Sequence, residues 1–389
     1  MSLPPVAGHE ELRQLLADAA TSGRLPQSVL FRGAPGIGKQ RLALWLAAVL
    51  QCERHTGCGE CRSCRLAAEL QHPDIHWYFP LERPKRVTAN KLREKLEEAR
   101  LAELDARRAE PLRRLAEDAP TGLHLGTIEN LRERAIRRPA MGPRTVFIVG
   151  RAEQMVSQQA SQEAANAFLK LLEEPPEDVH IFLTSSRPGA LLPTVRSRVL
   201  SIRVLPLAAE EVADYLQAEA DIGRERAHRI ARLAQGSIGR ALQIAGGEED
   251  GYDDAERLLR VALGGNRAER LRYSLSLSAR GARGGFLRAL EATGELMRDQ
   301  LALATGNADD ALDIERARRL SPERPRAEAI LAGLQSLEHA KLAAAGNVNP
   351  QAVSASLLGE LAAALSTDRS GTDAGYAERD ATHRKVRRP

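Results

Sequence analysis

The run Gly33-Ala34-Pro35-Gly36-Ile37-Gly38-Lys39-Gln40 constrains the fold of this chain more than any other feature of its sequence. Its spacing, G-x-x-x-x-G-K, is that of a phosphate-binding loop, in which backbone N–H groups cradle phosphate oxygens and the lysine neutralises the β and γ groups. Such a loop requires a strand that turns directly into a helix. The flanking residues supply both, since Ser28-Val29-Leu30-Phe31 is a short apolar run and Gln40 to Gln51 is rich in Leu and Ala and carries Trp45. Gly33, Gly36, Gly38 and Lys39 are therefore the candidate nucleotide-binding residues. The mismatch is at position 40. The motif has Ser or Thr there, whose hydroxyl holds Mg²⁺, and glutamine is a poor ligand for that hard cation.

Residues 9–23 carry apolar positions at helical spacing, and three further strands are predicted over 145–149, 180–185 and 199–204, with helical pattern between them. Strands that alternate with helices imply an α/β domain with a parallel sheet. A P-loop ATPase also needs acidic residues at the end of a second strand, to hold Mg²⁺ and to position the attacking water. The candidate strand Val146-Phe147-Ile148-Val149 runs instead into Gly150-Arg151. Glu153 comes later, in the predicted following helix, with no assured reach to the same spot. With both metal-supporting positions lost, hydrolysis by this chain alone is not expected, while nucleotide binding at Lys39 stays open.

All four cysteines fall within thirteen residues, as Cys52, Cys58, Cys61 and Cys64. The spacing C-x5-C-x2-C-x2-C can wrap one tetrahedral Zn²⁺ in a reducing compartment, where disulfides are disfavoured. Four thiolates close the shell, so the expected zinc is structural and His55 and His72 are not needed as ligands. The alternative is a set of unmetallated or redox-active thiols.

After Pro206 the strand signal ends and helical segments follow, broken by glycines. The chain is expected to divide at 1–205, 206–246 and 250–365, the last two being all-helical. Residues 366–389 are polar, end in a basic cluster and cannot bury much, so a disordered tail is expected. Between about 80 and 120 the sequence is densely charged, with leucines at helical spacing and Pro111 as a break, which predicts an inserted pair of charged helices. A solvated hairpin and a contact surface are both compatible with that pattern.

The net charge of +4, from 56 basic and 52 acidic residues, is too small to establish an anionic partner. No apolar run reaches the ~18–20 residues of a membrane span, and the N-terminus lacks a signal-peptide pattern, so a cytoplasmic protein with no membrane partner is expected.

These residues together resemble the clamp-loader subunits of bacterial DNA polymerase III, members of the AAA+ superfamily. The resemblance is carried by GAPGIGK at 33–39, the four cysteines followed by His72-Pro73-Asp74, and NAFLKLLEEPP at 166–176. LPTVRSR at 192–198, GSIGRAL at 236–242 and NVNP at 347–350 extend it. It implies an AAA+ domain with an inserted zinc module, a helical lid domain at 206–246 and a helical oligomerisation, or collar, domain at 250–365. It also implies a ring-shaped loader that opens a sliding clamp and places it on primer-template DNA, with gamma/tau-type motor and delta subunits as partners. Gln40 and Gly150-Arg151 point to the delta-prime type, the non-hydrolysing stator, with ATPase activity residing in the partner subunits of the polymerase holoenzyme. By the same resemblance, Arg198 of Ser197-Arg198-Val199 matches an arginine finger that acts in trans, with valine where the family motif has cysteine. Arg240 matches a second-sensor arginine near any residual ATP or ADP, and Thr184-Ser185-Ser186 matches a sensor position. Two rivals remain: an ATP-hydrolysing motor subunit relying on Gln40 and Glu153, and a stand-alone zinc-dependent DNA-binding protein.

Overall fold

The computed structural model describes residues 3–84, 87–112, 121–156, 162–246, 251–278, 283–308, 311–320, 326–345 and 348–365. The predicted tail at 366–389, residues 113–120 of the charged insert and Asn347 lie outside the described residues. Two compact units are present, one comprising residues 1–253 with 280–288 and the other 254–279 with 289–389.

The first unit is built on a five-stranded parallel sheet. Helix α1 (Glu10–Thr21) precedes β1 (Ser28–Arg32), and α2 (Lys39–Gln51) and α3 (Arg62–Ala68) lead to β2 (Ile75–Tyr78). A short hairpin partner β3 (Leu81–Glu82), the helix α4 (Ala89–Ala109) and β4 (Thr121–Gly122) follow. Then come α5 (Leu125–Ala135), β5 (Thr145–Val149), a 3-10 turn at Ala152–Val156, α6 (Gln162–Glu173), β6 (Val179–Ser185), α7 (Pro193–Arg196) and β7 (Leu200–Arg203). The strand order is β2-β5-β6-β1-β7. In register, Ser28 pairs with Ile181, Val146 with His180, Ile75 with Val146 and Val29 with Leu200. All residues of β5 and β6 are buried, as expected of parallel strands covered on both faces by helices. Leu171 and Leu172 of α6 are buried against the sheet, with Leu169 half-buried beside them. The parallel α/β expectation is borne out.

The sequence reading missed β2, the edge strand. Ile75-His76-Trp77-Tyr78 has a histidine in its middle and lacks a continuous apolar run. In the fold His76 stacks on Phe147 of the neighbouring strand, ring centroids 5.2 Å apart. Of the charged helix pair predicted in the insert, the first is present, and most of the segment after Pro111, where the second is expected, lies outside the described residues. The described part of the insert is one 21-residue helix flanked by β3 and β4, which pair antiparallel through Leu81–Gly122 and Glu82–Thr121. Helix α4 packs on the body because Leu96 and Leu104 are buried and its arginines lie on aromatic faces. Arg107 sits 4.2 Å from the ring centres of Trp77 and Phe79, and Arg100 sits 4.9 Å from that of Tyr78.

Helices α8 (Ala209–Ala220), α9 (Arg224–Ala234) and α10 (Ile238–Ala245) complete the first unit, around a core that includes Val212, Leu216, Ile230 and Ala241. The remaining helices are α11 (Tyr252–Gly264), α12 (Arg267–Ser276), α13 (Arg283–Thr305), α14 (Ile314–Leu320), α15 (Ala327–Ala345) and α16 (Pro350–Leu365). Within the second unit Asn349 caps α16, its Oδ1 accepting from Gln351 N at 2.9 Å with Pro350 at the first helical position. Gln351 Nε2 in turn donates to the carbonyls of Leu275 and Leu277. Among the described residues no helix is long and apolar enough to cross a membrane.

Candidate functional site

The phosphate-binding loop lies at the carboxyl end of β1, between β6 and β7, where ligands of open α/β sheets bind. Gly36 and Gly38 hold the left-handed φ values 73° and 93° that the loop requires, and Lys39 opens α2. The lysine is only 7% exposed. Its Nζ donates to Gly33 O at 3.0 Å, Ala34 O at 2.5 Å and Ser186 Oγ at 2.9 Å. Burial lowers its pKa from 10.5 to about 8, and the charge of Glu153 works against that fall. Glu153 sits in the 3-10 turn after β5, is 7% exposed, and accepts from Ser186 N through Oε1 at 3.3 Å. Its Oε2 is buried without a hydrogen-bond partner. So Glu153 does reach the loop's surroundings, through Ser186, although not from the strand end where an ATPase carries its acid.

The two departures from the ATPase pattern fit one another. Gln40 Oε1 accepts from Trp77 Nε1 at 3.1 Å, and a Cβ placed on Gly150 would stand 2.7 Å from that same oxygen. The glutamine amide thus occupies the space that a side chain at position 150 would enter. Beyond Gly150, Arg151 N donates to Thr184 Oγ1 at 3.1 Å, so the hydroxyls of Thr184 in β6 and of Ser186 just after it both accept from groups of the protein itself.

Helix α10 meets the loop directly. Ser237 caps α10 by accepting from Arg240 N at 3.1 Å, and its hydroxyl lies 3.1 Å from Pro35 O. Gly239 N donates to Gly36 O at 2.9 Å. A Cβ on Gly36 would fall 2.2 Å from Ser237 Oγ, so only glycine permits this approach. His9, just before α1, bonds Ile37 O through Nε2 at 2.9 Å. Arg240 donates to the Tyr252 hydroxyl at 2.9 Å.

Arg198 belongs to a different set of partners. Its Nη2 forms a 2.6 Å ion pair with Glu173 of α6, and Nη1 donates to Thr194 O at 2.9 Å and to Ser197 Oγ at 3.3 Å. The arginine side chain remains 34% exposed.

The four cysteine sulfurs lie within 4.8 Å of one another, with Cys58 and Cys64 4.0 Å apart. A tetrahedron of ~2.3 Å metal–sulfur bonds has edges of ~3.8 Å, so this set could hold a metal ion. Backbone N–H groups of Arg54, Cys61 and Cys64 point at Sγ of Cys52, Cys58 and Cys61 at 3.4, 3.4 and 3.5 Å. Burial opposes ionisation of Cys52 but is outweighed by N–H groups from Cys58, Arg54 and Thr56, which bring it down to about 5. At Cys61 the N–H of Cys64 likewise outweighs burial. Cys64 is pushed up, by burial first and then by the neighbouring sulfurs. The following His72-Pro73-Asp74 has a structural role that the sequence did not disclose: the Asp74 carboxylate accepts from Ala140, Met141 and Gly142 N at 2.5, 2.8 and 2.7 Å.

Sequence reasoning missed Trp77, Glu173 and Tyr252 as partners of Gln40, Arg198 and Arg240. Each pairing joins residues remote in sequence, and no local pattern signals it.

Comparison with known proteins agrees with the motifs. A family model described as "DNA polymerase III, delta subunit" matches residues 8–208. DNA polymerase III subunit delta' of Pseudomonas aeruginosa is 32% identical over 212 residues, covering 54% of this chain and 52% of that protein. Subunit delta' of Escherichia coli is 27% identical over 230 residues, covering 58% and 57%. Subunit tau of Escherichia coli is 28% identical over 247 residues, covering 61% and 32%. The chain thus spans little more than half the length of the delta' relatives it matches. The resemblance to the delta-prime type is borne out by a match over more than half of the chain, and the chain belongs to the DNA polymerase III delta subunit family.

Proposed function

We propose that this chain is a delta-prime-type subunit of an AAA+ clamp loader, one that does not hydrolyse ATP itself and supplies Arg198 to a nucleotide held by a neighbouring subunit. The observation that carries the reading is the pairing of Gln40 with Gly150. A hydroxyl for Mg²⁺ and a strand-end acid are both missing, and the glutamine amide fills the room between them. Lys39 is meanwhile committed to two loop carbonyls and Ser186. Arg198 is exposed enough to meet a partner's γ-phosphate, where a guanidinium stabilises charge developing in phosphoryl transfer.

In this reading the first unit provides an AAA+ P-loop domain at 1–205 and a lid at 206–246, and residues 250–365 form the collar. The gamma/tau-type and delta subunits, the sliding clamp and, through the complex, primer-template DNA are the partners, in the cytoplasm. Cys52, Cys58, Cys61 and Cys64 hold structural Zn²⁺, which supplies a cross-link of segment 52–64 and no open coordination position for catalysis. Gly33, Gly36, Gly38, Lys39 and Arg240 surround any residual ATP or ADP.

Glu153 beside Ser186 and the similarity to tau give the motor reading its support. Purified chain with ATP and Mg²⁺ separates the two. The delta-prime reading expects no steady phosphate release from the chain alone and a stable complex on co-expression with motor and delta subunits of the same organism. Steady release abolished by Lys39→Ala would overturn it. Metal analysis is expected to return about one zinc per chain, and a folded, metal-free protein contradicts the zinc assignment.

A further inference from the structure

We infer that Glu173 is the positioning residue for the Arg198 guanidinium, an inference that rests on the in-trans reading just proposed. Glu173 is the last residue of α6, and its Oε1 accepts from Arg198 Nη2 at 2.6 Å. The other arm of the guanidinium, Nη1, is held by Thr194 O at 2.9 Å and Ser197 Oγ at 3.3 Å. Two separate elements, the end of α6 and the α7 turn, therefore fix the orientation of the planar group. The pair is nevertheless open to solvent, with side-chain exposures of 34% for Arg198 and 44% for Glu173.

Three physical points distinguish a positioning role from a stabilising one. A carboxylate in the last turn of a helix opposes the helix dipole, so Glu173 adds nothing to α6 by itself. An ion pair this exposed contributes little to folding. A free arginine, however, loses much rotamer freedom when it docks, and a guanidinium already oriented loses less. A phosphate oxygen and a carboxylate oxygen accept from the same N–H fork. The neighbouring subunit's phosphate can replace Glu173 on Nη2 while Thr194 O and Ser197 Oγ keep Nη1 in place. Orientation of this kind acts on turnover, because the charge it meets develops in the transition state.

The test uses the reconstituted loader carrying Glu173→Ala, Glu173→Gln or Arg198→Ala, with DNA-stimulated ATP turnover measured across ATP concentrations. Glu173→Ala is expected to lower kcat about fivefold with KM for ATP unchanged, and with assembly and melting temperature unchanged. Glu173→Gln, which keeps the acceptor oxygen, is expected to recover about half or more of the loss. An unchanged or raised kcat in Glu173→Ala, alongside a clear loss in Arg198→Ala, overturns the positioning role alone. If Arg198→Ala itself leaves turnover unchanged, the in-trans reading fails and this inference falls with it.

Discussion

The P-loop corner and the Arg198 corner belong to the same unit, yet they direct their charged groups in opposite ways. At the loop, Lys39 is 7% exposed and donates to three oxygens of its own chain. Gly36 O and Pro35 O are each met by α10, and Gln40 fills the space beside Gly150. At the other corner, Arg198 is tethered but exposed. A motif kept in sequence can thus be turned inward onto its own chain, while a single arginine is held at the surface by Glu173, Thr194 and Ser197.

The sharpest way to break this contrast is through stability. Removing a buried, hydrogen-bonded cation leaves its acceptors unpaired, at a cost of a few kcal/mol, so Lys39→Met is expected to destabilise the chain by about 2 kcal/mol in urea unfolding at pH 7.5. The gap should also widen with pH. Burial lowers the lysine pKa from 10.5 to about 8, so between those values the unfolded chain binds more protons than the folded one. The parent's stability therefore gains as pH rises through that window, and Lys39→Met cannot share the gain. At pH 9.5 the difference is expected to grow by about 2 kcal/mol more. A gap that stays flat or narrows contradicts a buried, charged Lys39.

A smaller effect tests the paired departures. Gln40→Ser removes the acceptor of Trp77 Nε1 and should cost about 1 kcal/mol. Gly150→Asp should be tolerated better in that background than in the parent, because the clash at 2.7 Å is with the glutamine amide. Equal costs in both backgrounds would show the two positions to be independent. The smallest effect belongs to the other corner, where Arg198→Ala should change stability by less than about 1 kcal/mol, as for other exposed ion pairs.

Much of this was legible in sequence where short-range pattern decides structure. The glycines of the loop, the apolar runs of β1, β5 and β6 and the cysteine spacing all express local rules, and the fold places them as those rules require. Pattern failed where a residue's partner lies far along the chain. Residues 75–78 did not read as a strand because His76 interrupts the apolar run, yet its half-buried ring stacks on Phe147. The charged pattern of α4 left a solvated hairpin and a contact surface both open, because charge spacing does not disclose the aromatic faces on which Arg100 and Arg107 lie. The inward turn of Lys39 and the Glu173–Arg198 pair depend on side chains brought together only by the folded sheet and its flanking helices.

The central claim is that this chain's own loop is inert in nucleotide turnover and that its outward arginine is not. Steady-state ATP hydrolysis by two reconstituted loaders, one carrying Lys39→Met and the other Arg198→Ala in this subunit, tests it directly. Once assembled, the Lys39→Met complex should turn over as fast as the parent, while the Arg198→Ala complex should be slower by about tenfold or more. Full activity in the Arg198→Ala complex together with a collapse in the Lys39→Met complex would contradict the account.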